Sequence, residues 1–163
     1  MIQRVQSIFL FFVAASLVTL VFLPLWNKVD VEKSETVTVT ALTLQHTKMD
    51  IDTGEQQVIT ETPLYYIAGI ALLAAGIALY SIFKFNNRLL QIKLGALNSL
   101  VMAVALGLSV YWILEANKIL LPQIQGNYLF GFYMFMSAML FNVLSNRFIR
   151  RDEQLVKSAD RIR

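Results

Sequence analysis

Basic side chains crowd the last eighteen residues of the chain, NRFIRRDEQLVKSADRIR, which hold Arg147, Arg150, Arg151, Lys157, Arg161 and Arg163. Phe148, Ile149, Leu155, Val156, Ala159 and Ile162 recur among them at helical spacing, so the pattern predicts a helix with one apolar face and one face of mixed charge. Glu153 and Lys157 stand at i, i+4 in the order that favours a helix. Such a helix suits either an anionic membrane surface or an acidic cytoplasmic protein. A plain topology anchor would need the charges and not the pattern.

Other chemistries are excluded by what the chain lacks. It has no cysteine, which rules out thiol–disulfide electron transfer and structural disulfides. His46 is its one histidine, which leaves neither a bis-histidine haem site nor a His-based zinc site within the chain. No set of nucleophile, acid, base and metal ligands stands out. Catalytic, metal-ligating and cofactor-binding residues are therefore expected to be none, with no cofactor and no specific nucleic acid among the partners, and an enzyme working on an apolar substrate is a distant third reading. The central parts of the apolar segments carry no ionisable residue, and Lys93 and Glu115 sit at segment ends where each can reach water. That argues against an ion channel or a proton-coupled transporter.

Two polar residues lie deeper. Asn98 is five residues beyond Lys93 and Asn142 five before Arg147, which places both roughly 7–8 Å below one surface of an apolar slab. Neither amide belongs against lipid. They are expected to bond each other or a shared partner between two helices, for about 0.6–2 kcal/mol.

The elements that must position these residues follow from composition. Hydrophobic residues make up 56% of the 163 and charged ones 15%, against about 45–50% and about 25% in soluble domains. The excess is gathered into long runs, as lipid-facing helices require. Residues 7–26, SIFLFFVAASLVTLVFLPLW, form the first run, 64–83 the second and 94–114 the third. A fourth, YLFGFYMFMSAMLFNVL, starts at Tyr128 and is expected to extend to 147. The expected fold is thus an all-α membrane protein: a four-transmembrane-helix bundle over 1–149, followed by a basic amphipathic tail over 150–163. The first run exceeds the apolar core of a signal peptide, and Pro24, Leu25 and Trp26 stand where small residues would be needed for cleavage. Ten Lys and Arg fall on one side of the runs and four (Lys28, Lys33, Lys48 and Lys118) on the other, which predicts a multi-pass membrane protein with both ends cytoplasmic.

The outer loop, 27–63, carries a strand signal. Thr36 to Leu44, TVTVTALTL, alternates with period two, Asp52-Thr53-Gly54-Glu55 reads as a turn and Gln57 to Thr60 as a return strand. A small antiparallel sheet is expected, and because a lone hairpin is marginal it should either add a third strand near Val29 to Val31 or rest on the helix ends. It would serve as a cap on the bundle or as a docking edge. Within the helices, Ala68, Ala71, Ala75 and Ala78 form one stripe, with Gly69 and Gly76 beside it, and Gly95-x-x-x-Ser99 and Ala103-x-x-x-Gly107 repeat the theme. Small residues of this kind let helices approach closely and are compatible with a homo-oligomer.

The tail RRDEQLVKSADRIR, the opening MIQRVQSIFL and the four-run layout resemble an uncharacterised bacterial family of integral membrane proteins, the domain-of-unknown-function family 4293. The resemblance covers essentially the full chain and implies a cytoplasmic-membrane location with no catalytic residue to carry over. Two functions are then expected. The first is a structural or accessory subunit docking on a larger membrane assembly, with membrane lipids around it and a membrane or cytoplasmic protein partner at the tail. The alternative is a binding or transport protein for a lipid or other apolar molecule, held by Phe130, Phe132, Tyr133, Met134, Phe135 and Met136.

Overall fold

The computed structural model describes residues 3–50, 55–84, 87–121, 123 and 125–160, with side chains from residue 5 to 155 of these. In chain order the elements are α1 (Gln3–Phe22), β1 (Trp26–Asp30), β2 (Glu35–Val39), β3 (Thr43–Met49), β4 (Gln56–Pro63), α2 (Tyr65–Phe83), α3 (Arg88–Asn117), β5 (Asn127–Tyr128) and α4 (Phe130–Asp160). Helix α1 packs beside α2 and α4, and α3 packs beside the same two.

Helix α1 stops at Phe22 because Pro24 offers no N–H and disfavours helical backbone in the residue before it. The chain passes straight into a sheet: Leu25 N–H donates to Val39 O at 2.8 Å, and its carbonyl accepts from Leu129 N–H at 2.9 Å. In α2 the alanine stripe Ala68, Ala71, Ala75 and Ala78 is buried with Ile67, Ala74 and Ser81. Gly69, Gly76 and Gly107 face open space, whereas a Cβ on Gly95 would run into the Asn146 side chain. Close approach of helices therefore depends on Gly95 among these glycines. Along α3 the buried residues Gln91, Gly95, Asn98, Met102, Ala105, Ser109, Ile113 and Ala116 recur at steps of three and four, the seam of a packed helix.

The expected all-α, four-transmembrane-helix bundle is corrected on two counts. The five strands form one antiparallel sheet in the order β4-β3-β2-β1-β5, so strand is a principal part of the fold. Of the four helices, α1, α2 and α3 are long and apolar enough to cross a membrane. Helix α4 is longer, but its apolar stretch ends at Leu144, and Ser145, Asn146, Arg147, Arg150 and Arg151 follow within the same helix. The expected tail is thus continuous with the helix before it.

The strand run 36–44 also divides. Thr40 ends β2 by accepting at its hydroxyl from Leu42 N–H (3.1 Å) and Thr43 N–H (2.8 Å), a side-chain turn that competes with the ladder. Strand β3 then returns along β2, with Val39 opposite Leu44. Most of the turn expected at 52–55 lies outside the described residues.

The sheet sits at one end of the helices. Trp26, Val37, Val39, Ala41 and Leu44 join Leu20, Leu25, Leu64, Ile113 and Leu120 in one apolar core. The beginning of α1, the α2–α3 junction and the end of α4 lie at the opposite end.

Candidate functional site

Helix α4 carries a ladder of polar contacts on its inward face. Ser137 Oγ lies 3.2 Å from Ser16 Oγ, Asn142 Nδ2 donates to Gly95 O at 3.0 Å and Ser99 Oγ at 2.8 Å, and Ser145 Oγ donates to Gln6 O at 3.4 Å. Below them the Arg88 guanidinium donates to Asp152 O at 3.1 Å and reaches its carboxylate at 3.3 Å. Phe9 stacks on Phe148 nearby, with ring centroids 5.4 Å apart. These contacts fix the rotation of α4, because a polar rung pairs only when it faces its partner.

The sequence placed Asn98 and Asn142 at one depth, and both are buried. They do not bond each other. Asn142 reaches α3 through Gly95 and Ser99, while neither side-chain polar atom of Asn98 has a hydrogen-bond partner. Gln6, Gln91, Asn142 and Asn146 each leave an amide oxygen unpaired as well. Gln91 Nε2 meanwhile donates to Ser81 O at 2.8 Å.

The outward face of α4 is different. Arg147, Arg150 and Arg151 are all exposed there, and with Val143 and Gln154 they line an open groove of about 610 Å³. Among the described residues none of the three pairs with a carboxylate. Three guanidinium forks so placed match phosphate or carboxylate oxygens. The side chain of Lys157, and Arg161 and Arg163 altogether, lie outside the described residues.

At the sheet end the structure reveals a residue that sequence reasoning missed. Lys28 on β1 is fully buried, and its ammonium donates to Asn117 O at 2.8 Å, Asn117 Oδ1 at 3.0 Å and Leu120 O at 3.2 Å. It thereby holds the carbonyl end of α3, where a cation also suits the helix dipole. The alternation of β1 puts Trp26, Lys28 and Asp30 on one buried side. Asp30 turns the chain locally, its Oδ1 accepting from Glu32 and Lys33 N–H at 3.1 and 3.3 Å. His46 is occupied too, 3.3 Å from the Glu35 carboxylate. Beyond it, β4 is an edge strand exposed along nearly its whole length. Its pairing with β3 shifts register between His46 and Thr47, which leaves Ile59 as an extra residue, and Val58 and Ile59 are both about half exposed (55% and 51%).

The aromatic and methionine set of α4 does not converge. Phe135 is buried, Phe132 and Met134 are half-buried, and Phe130, Tyr133 and Met136 are exposed. No group of His, Cys, Asp or Glu able to hold a metal occurs among the described residues. No curated protein matches the chain. A family model does match it, over residues 2–162, and the chain accordingly belongs to the family described as Domain of unknown function (DUF4293).

Proposed function

We propose that the chain is an accessory subunit of a larger assembly in the bacterial cytoplasmic (inner) membrane, and that it docks a partner protein on the free edge of its sheet. The observation that carries this reading is β4. Free strand edges invite pairing with another chain. Here seven of the eight residues of the edge strand are exposed, with Val58 and Ile59 as an apolar anchor. Supporting the location are three apolar helices and the sequence asymmetry of ten basic residues against four, which would set the sheet outside.

A photo-crosslinking amino acid at position 59, tested in native membranes beside the same label at Leu140, examines the reading. A discrete protein adduct is expected at 59 and none at 140, and Val58→Lys placed beside the label should abolish it while the unfolding midpoint stays unchanged. Adducts only to lipid at position 59, or equal protein adducts at both positions, would reject the edge as a docking site.

A further inference from the structure

Arg147, Arg150 and Arg151 stand at the foot of an apolar stripe. Leu140, Val143 and Leu144 are exposed one and two turns earlier on the same side of α4, at helical steps of three and four that continue through Arg147 and Arg150 to Gln154. A side of α4 that is apolar above and tri-cationic below has the polarity of a phospholipid, acyl chain over phosphate. Arg88, at the same end of the molecule, is taken by Asp152, whereas these three have no carboxylate partner among the described residues. A soluble acidic ligand would use the guanidinium groups and leave the leucines and valine without a contact. We propose that this groove binds an anionic phospholipid, the headgroup phosphate between Arg147, Arg150 and Arg151 and the first part of an acyl chain along Val143, Leu144 and Leu140.

The site is independent of the β4 edge, so either can fail alone. The test is native mass spectrometry of the full chain released from nanodiscs of phosphatidylcholine mixed with phosphatidylglycerol, counting retained lipid. Preferential retention of phosphatidylglycerol is expected. The double variant Arg150→Gln/Arg151→Gln should lower that retention about thirtyfold, taking about 1 kcal/mol per basic residue near an anionic surface. Lys84→Gln/Lys93→Gln removes the same charge from exposed lysines at that end of the molecule and should leave retention within about twofold. Equal losses in the two double variants would reduce the effect to bulk charge and overturn the site. Equal retention of both lipids by the native chain would overturn it as well, and displacement of the lipid by millimolar inorganic phosphate would assign the arginines to free phosphate instead.

Discussion

Strands β1 and β2 belong to the same sheet as β4, yet the two regions meet opposite surroundings. Trp26, Lys28, Val37 and Val39 are buried against the helices and hold the end of α3, while β4 buries almost nothing. A cap needs only the first three strands. The difference separates two roles within one sheet: an inner half that stabilises the helices, and an outer strand whose retained length and half-exposed Val58 and Ile59 add no comparable burial to the fold.

The largest loss is expected at Lys28. Lys28→Met keeps the volume but removes the donor of three hydrogen bonds, leaving two carbonyls at the end of α3 and the Asn117 amide oxygen unpaired. A loss of about 3–5 kcal/mol is expected in denaturant unfolding of the detergent-solubilised chain. A loss below about 1 kcal/mol would mean that the inner half of the sheet is not what secures α3.

Val39→Ala sharpens the same contrast with a smaller effect, about 1–3 kcal/mol from the lost burial and the cavity left at the sheet–helix core. On α4, Asn142→Ala removes bonds to Gly95 and Ser99 and should cost about 0.6–2 kcal/mol. Since Asn98 makes none of those bonds, the Asn98→Ala/Asn142→Ala double variant should equal the sum of the singles within about 0.5 kcal/mol. Coupling beyond that would restore a direct pairing of the two amides. Smallest of all is Ile59→Lys on the outer strand, expected to change stability by less than about 0.5 kcal/mol, measured by the same unfolding. A larger loss would mean that β4 supports the fold after all.

The helices were legible because long uncharged runs leave the backbone few alternatives, and Pro24 and Pro63 punctuate the chain close to where helices and strands exchange. Several features escaped for definite physical reasons. The run 36–44 alternates as one strand would, but the Thr40 hydroxyl folds it into a hairpin, and alternation carries no sign of a turn made by a side chain. β5 is two residues long and has no pattern to read. Lys28 looked like one loop lysine among several, since hydropathy assigns a lysine to water whatever carbonyls stand nearby. Residue counting set Asn98 and Asn142 at a common level, but level says nothing about rotation around a helix, and rotation chose Gly95 and Ser99 as the partners of Asn142. The arginines of the outward face were visible in the sequence, whereas their separation from the Arg88–Asp152 pair needed the packing of α3 on α4.

Amide hydrogen exchange along β4 tests the docking account most directly, because half of the strand's N–H groups bond β3 and the other half point outward. In the purified chain the outward set should exchange freely while the inward set is protected. In native membranes a partner strand on the edge should slow the outward set by roughly tenfold or more, and Val58→Lys should remove that protection. Identical exchange of the outward amides in both preparations would contradict the claim that β4 is a docking edge.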